Sequence, residues 1–298
     1  MLKRSPADND PPRCGRRGMA EAVLRHYFGG MDLYTIKSYM FPQSLEAAYE
    51  LLSRDPKNNA ILGGCCWLKM GRRRLRTAID LTQLGLDRIE VRDGWVEIGA
   101  CVTLRQMETA PALTGRFGGI LSRCVEHIVG VQFRNCATVG GSVYSRFGFS
   151  DVTAALLALD ATVVLYRQGE IPLADFMAMP IHFDDILVKV RVRDDGRTAA
   201  YESLRRSATD LPLLAVAVSR LGNDWTVSVG ARPASARRSA EAAACLAAGG
   251  TPAEAGEAAA RALTCGTDLR AGADYRREMT KVLVRRAAEA CGKGGAQA

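Results

Sequence analysis

Ala137-Thr138-Val139-Gly140-Gly141-Ser142-Val143 decides how this chain is read, because its design, a short apolar strand running into paired glycines, also occurs earlier as Ile61-Leu62-Gly63-Gly64-Cys65-Cys66-Trp67. Paired glycines permit backbone conformations that turn successive N–H groups toward one point, and they leave no side chain to hinder an approaching ligand. Such a nest suits a diphosphate. One Gly-Gly after a strand is ordinarily a tight turn. Two of them, the second trailed by Ser142, Ser145, Ser150 and Asp151, point to a dinucleotide. Neither loop has the spacing of a Rossmann or P-loop nucleotide site. Asp151 can accept a bond from a ribose hydroxyl or cap a helix over 152–159, and the two roles do not exclude each other.

Working outward, Ser44 caps an expected helix whose apolar positions Leu45, Ala48, Tyr49, Leu51 and Leu52 share one face, with Pro56 as its stop. The run Ala60-Ile61-Leu62 follows, giving an α/β beginning. Asp93-Gly94 between two β-rich stretches, 88–92 and 95–100, is the strongest hairpin signal in the chain. Helices are expected at 104–109 and 119–129, and strands at 162–166 and 186–192. Beyond Asp194-Asp195-Gly196 the pattern becomes an antiparallel meander, 198–203, 213–220 and 225–230. An Ala-rich helical end succeeds it. There Thr251-Pro252-Ala253-Glu254 forms a capping box, and a last helix after Asp274 carries Tyr275, Met279, Val282, Leu283 and Ala287 on one stripe. The expected division is a tail over 1–30, disordered or preceding a natural start at Met31, then an α/β domain over 31–196 and a smaller α+β domain over 197–292.

A chain of 298 residues with 48% hydrophobic content can bury a substantial core. The net charge of +8 is partly concentrated near the start, where Lys3, Arg4, Arg13, Arg16, Arg17 and Arg25 face only Asp8, Asp10 and Glu21. The rest has no basic block of the kind nucleic acids need, so anionic cofactors or acidic partner surfaces suit it better. Nine cysteines include no Cys-x-x-Cys pair, and His26, His127 and His182 are scattered, so no metal site is expected. No apolar run is long enough to span a membrane and the opening lacks a signal-peptide segment, so a cytoplasmic location is expected. No Ser-His-Asp set and no paired carboxylates are visible, so no catalytic residue is assigned.

The stretch from Val131 to Ser142, followed by Asp151 and by Leu156-Leu157-Ala158-Leu159-Asp160-Ala161, resembles the signature of the FAD-binding subunits of the xanthine dehydrogenase and carbon monoxide dehydrogenase family. The first loop is similar to that family's A-G-G-T-D-L turn, and Asp268, Tyr275-Arg276-Arg277 and the residues from Val282 to Ala287 are similar to its closing helix. The resemblance implies an α+β chain: a vanillyl-alcohol-oxidase-type (PCMH) FAD-binding domain of two α/β subdomains, then a small α+β C-terminal domain. It also implies that Ala60, Ile61, Leu62, Gly63, Gly64, Cys65, Cys66 and Trp67, with Thr138, Val139, Gly140, Gly141 and Ser142, wrap the FAD diphosphate. By the same resemblance Asp151 holds the ribose side, and Ile128 and Leu187 pack near the rings. The implied partners are a molybdopterin-binding large subunit and a 2Fe-2S small subunit, with electrons leaving through FAD to NAD or another acceptor.

The chain departs from the family pattern at Ser142, at Cys65-Cys66, and at Phe147-Gly148, where the family often has Ser-Pro. A lysine that some relatives place beside the flavin falls on Glu202. Two other readings compete: a stand-alone flavin oxidoreductase of the same superfold, which needs acid/base residues of its own, and a non-catalytic assembly module, which has no use for intact glycine loops. For Cys65-Cys66, small residues that let a loop approach a cofactor are the favoured reading over a strained vicinal disulfide.

Overall fold

Three sheets organise the computed structural model, which describes residues 34–180 and 184–294. The expectations for the tail, for Met31 and for His182 lie outside the described residues. Strands β1 (Thr35–Met40), β2 (Asn59–Leu62) and β3 (Arg74–Asp80) form a parallel sheet in the order β1-β3-β2. Helix α1 (Leu45–Arg54) packs on it, burying Ala48 and Leu52 against Ile79, Leu81 and Ile186. Ser44 caps α1 by accepting the Ala47 N–H at 3.1 Å. Strand β1 has every residue exposed and, among the described residues, pairs only with β3, at the edge of the sheet.

The second sheet is antiparallel, in the order β4-β5-β8-β6-β7, from β4 (Ile89–Arg92), β5 (Trp95–Gly99), β6 (Thr162–Leu165), β7 (Gly169–Pro172) and β8 (Leu187–Arg193). Its first hairpin turns through Asp93 and Gly94, at φ 52° and 73°. Positive φ at both central residues is what a two-residue hairpin loop of matching twist demands. Five short helices lie between the hairpin and β6: α2 (Leu104–Thr109), α3 (Ile120–Arg123), α4 (Val131–Arg134), α5 (Val139–Tyr144) and α6 (Asp151–Ala158). Helix α7 (Leu173–Ala178) follows β7.

The third sheet, in the order β12-β11-β10-β9, is the expected meander: β9 (Thr198–Leu204), β10 (Leu214–Leu221), β11 (Asp224–Gly230) and the short β12 (Arg237–Arg238). Strand β10 is buried on both faces, and its alternation explains how. Leu214, Val216 and Val218 join one core with the closing helices α8 (Ala240–Ala247), α9 (Pro252–Ala262) and α10 (Ala273–Gly294). The intervening Ala215 and Ala217 are small and admit α6 on the other face. All eight residues of α6 are buried, the polar Asp151 and Thr153 included, so the helix has no solvent side. Two hydroxyls fasten it: Ser219 Oγ donates to the Ala158 carbonyl and Ser228 Oγ to the Ala154 carbonyl, both at 2.6 Å. Ser228→Ala is expected to cost about 1 kcal/mol, the ordinary net worth of one such bond, read as a lower urea midpoint at unchanged slope.

Four expectations are corrected. The helix over 119–129 is only Ile120–Arg123: Gly118 and Gly119 hold left-handed φ before it, and the chain passes into turns after Cys124, with Val129 itself at φ 51°. The run 137–139 is no strand: Thr138 caps α5 by accepting the Gly141 N–H at 3.0 Å, so Gly140 and Gly141 lie in a first helical turn. The helix after Ser150 begins at Asp151, and its cap is the Ser150 hydroxyl, not Asp151. On α10, Tyr275 is exposed and Arg276 faces the core, where it bonds to the carbonyls of Leu213, Gly266 and Ala271 and to Asp268.

Candidate functional site

The two doubled-glycine segments meet. A Cβ on Gly63 would lie 2.8 Å from Gly141 Cα, and one on Gly141 would lie 2.7 Å from the Gly63 carbonyl oxygen. Gly64, at φ 80°, is pressed so closely on Cys136 that its Cβ would fall 1.7 Å from the Cys136 carbonyl oxygen. Gly140 rests on Ala100. No side chain larger than hydrogen fits at these contacts, so the glycines bring β2 and α5 together backbone to backbone.

The segments have different roles. In the second, the N–H groups are consumed: Val139 donates to Val102 O, Gly140 to Ala100 O, Gly141 to Thr138 Oγ1 and Ser142 to Thr138 O. In the first, the backbone N–H groups of Gly64, Cys65, Cys66 and Trp67 have no acceptor among the described residues. Gly64 and Cys65 sit at φ 80° and 57°, a left-handed pair that breaks strand geometry just where these donors begin. Four consecutive free donors suit an anion, and they are costly when left unpaired away from water.

The junction borders a cavity of about 1110 Å³. That exceeds the usual ~300–1,000 Å³ of small-molecule sites and matches an elongated dinucleotide better than a compact ligand. Ala60, Ile61, Leu62, Gly63, Cys65, Cys66, Trp67, Ile128, Thr138, Gly140, Gly141, Ser142, Asp151 and Leu187 all line it. Gly64 and Val139 do not: Gly64 is turned onto Cys136, and Val139 is fully buried in the core. The Ser145 hydroxyl and the Asn59 Oδ1 belong to cavity-lining residues and are buried without a partner among the described residues. Together with the free donors, these orphaned atoms fit a polar, anionic dinucleotide such as FAD.

Positive charge on the wall comes from residues the sequence pattern did not single out. Arg73 donates to the Lys57 carbonyl at 2.9 Å, and both residues line the cavity. Arg205, just past the end of β9, lies on the wall, while Glu202 on that strand does not. The Arg205 Nη2 meets Asp151 Oδ1 at 2.5 Å, and the Tyr201 hydroxyl donates to the same carboxylate. Burial pushes the Asp151 carboxyl up to about 6 and outweighs the opposing pull of Arg205 and Tyr201. No local spacing reveals Arg205, because its partner lies 54 residues away.

Cys65 and Cys66 are free thiols. Burial, then the neighbouring Cys136, pushes the Cys66 thiol above its ordinary range, and burial raises Cys101 to about 11. Protonated thiols are poor nucleophiles, so these two act at neutral pH as small wall residues. Trp67 anchors an aromatic wall, with ring centroids 6.2 Å from Phe133, 6.0 Å from Phe147 and 5.1 Å from Phe149.

Residues 34–192 match the family described as the FAD binding domain in molybdopterin dehydrogenase. The chain is 30% identical over 195 residues to the uncharacterized protein YgfM of Escherichia coli K12, covering 63% of this chain and 71% of that one. It is 28% identical over 269 residues to the nicotine 6-hydroxylase medium subunit of Paenarthrobacter nicotinovorans, covering 83% and 94%. In structure it is similar to a chain of the carbon monoxide dehydrogenase of Hydrogenophaga pseudoflava that lacks the Mo-pyranopterin moiety of its cofactor. That match has a TM-score of 0.78 at 26% identity, over 86% of this chain and 97% of that one.

Proposed function

The chain belongs to the family of FAD-binding domains of molybdopterin dehydrogenases, matched over more than half its length, and on that premise we propose that it is the electron-transfer flavin subunit of a molybdenum hydroxylase complex. The observation that carries the reading is the pair of touching glycine segments beneath a row of free backbone donors in a dinucleotide-sized cavity. In this reading the Gly63–Trp67 turn holds the FAD diphosphate. Thr138, Gly140, Gly141 and Ser142 form the floor that fixes the turn, and Arg73 and Lys57 supply positive charge. Asp151, already held by Arg205 and Tyr201, presents its remaining acceptor capacity to the ribose side. FAD supplies the redox chemistry when bound, accepting electrons and giving them up again. The protein's own work is to bind it, orient it and set the electrostatics around it.

The finer elements of the reading rest on the same premise. The cytoplasmic complex has a molybdopterin-binding large subunit and a 2Fe-2S small subunit as partners, a reading supported by the likeness to the medium subunit of nicotine 6-hydroxylase. Electrons arrive from the iron–sulfur clusters and leave to NAD or another acceptor. The fold is the PCMH type with two α/β subdomains over 31–196, followed by the C-terminal domain over 197–292. The change of sheet between Arg193 and Thr198 supports that division.

Protein purified from its native source is expected to be yellow, to carry one FAD per chain, and to bring both partner subunits with it. A colourless chain that takes up no FAD on titration would sink the proposal. A flavin-loaded chain that purifies without molybdopterin or iron–sulfur partners would leave the stand-alone oxidoreductase in its place.

A further inference from the structure

The cavity has one wall unlike the rest. Trp67, Phe133, Phe147 and Phe149 all line it, and the Phe147 and Phe149 rings stack at 5.1 Å with planes 9° apart. Trp67 touches the other three rings. Trp67 and Phe147 nevertheless remain 40% and 38% exposed, so ring area is left for a ligand to cover. The cluster is tied to both glycine segments: Trp67 follows the first, Phe133 precedes the second, and Phe147 and Phe149 follow it.

A polar group stands at the far end of β2. From Gly63, β2 leads back to Asn59, a run of about 13 Å at roughly 3.3 Å per residue. Asn59 is 5% exposed and gives its Nδ2 to the Leu51 carbonyl at 2.6 Å, which fixes the amide orientation and leaves Oδ1, an acceptor, without a partner among the described residues. A lone amide acceptor complements the amino group of a base, whereas a broad aromatic wall complements an extended ring system.

Taking FAD as the ligand, we propose that Trp67, braced by Phe133, Phe147 and Phe149, is the stacking partner of the isoalloxazine, and that the adenine occupies the Asn59 end. The indole is the one ring of the four that readily gives an electron to an excited flavin and takes it back, so the assignment has an optical signature independent of turnover.

The test is the fluorescence of bound flavin in the full chain loaded with FAD. Trp67→Phe keeps the ring packing and is expected to raise bound-flavin emission severalfold at one FAD per chain. Phe147→Ala, at an exposed position, is expected to weaken FAD binding about tenfold, the scale of one lost aromatic contact. A W67F chain that holds one FAD and stays as dark as wild type would overturn the ring placement and put the adenine there instead. Wild-type chain that binds no FAD would overturn the flavin reading itself, and the placement with it.

Discussion

Gly64→Ala is expected to give a chain that keeps its sheets but loses FAD. The added Cβ would sit 1.7 Å from the Cys136 carbonyl oxygen, a separation no real Cβ shows, and the residue would have to hold φ 80°. Neither neighbour is a flexible side-chain end, so relief requires the two glycine segments to part. The row of free donors at Gly64, Cys65, Cys66 and Trp67 then loses its alignment. The loss of FAD affinity should reach at least about a hundredfold, on the order of 3 kcal/mol. Gly85→Ala is the control: Gly85 also has positive φ, 67°, but open space around its missing Cβ. That change should cost only about 1 kcal/mol of stability, the price of a left-handed alanine, and leave FAD binding alone. Equilibrium titration with FAD, alongside near-ultraviolet circular dichroism to confirm folding, separates the cases. A G64A chain with wild-type affinity would mean that the contact between the segments does not shape the site.

Asp151→Ala should be the most destabilising single change on the cavity wall. It strands the Arg205 guanidinium and the Tyr201 hydroxyl in a buried place, and removing one partner of a buried pair typically costs about 3–5 kcal/mol. Replacing both ends with apolar groups, Asp151→Leu with Arg205→Met, should cost distinctly less, because no uncompensated charge remains. Denaturant unfolding of the two single variants and the double variant gives the coupling directly; additive effects would show that the pair is not a unit. The pH dependence has a definite sign. With the carboxyl raised from 3.8 to about 6, the folded chain binds this proton more tightly than the unfolded chain. This group's contribution to stability is therefore full below the unfolded value, falls as pH rises through the window from about 4 to 6, and is absent at neutral pH. Lowering pH from 7 toward 5 should stabilise the wild type relative to Asp151→Asn, and a parallel response in the two proteins would contradict the shift.

What was legible in the sequence was whatever local chemistry settles alone. The Ser44 cap, the Asp93-Gly94 turn and the Thr251 capping box each read correctly, because each is decided within four residues. Strands β1 and β3 were missed for the opposite reason: Thr35–Met40 has no buried face to impose an alternation, and Arg74–Asp80 mixes arginines with its three buried aliphatics, two of them adjacent. The second glycine segment does meet the first, but it is a capped helical turn with its N–H groups bonded, not the strand and donor nest its spelling suggests. Its bonds to the Ala100 and Val102 carbonyls come from tertiary packing that no window of sequence displays. Arg205 and Arg276 were hidden because a buried arginine looks on paper like a solvated one. Only the carbonyls and carboxylates gathered around each show why it is inside.

Helix α6 carries a consequence for how this protein can change over evolutionary time. Its first residue, Asp151, stands on the cavity wall, and its later turns are gripped by hydroxyls from β10 and β11. A helix with no wet side belongs to both neighbours at once, so the flavin-binding half and the closing half share a party wall. Neither can be shed, swapped or fused elsewhere without stripping the other's core, and drift at any of those eight positions has two landlords to satisfy.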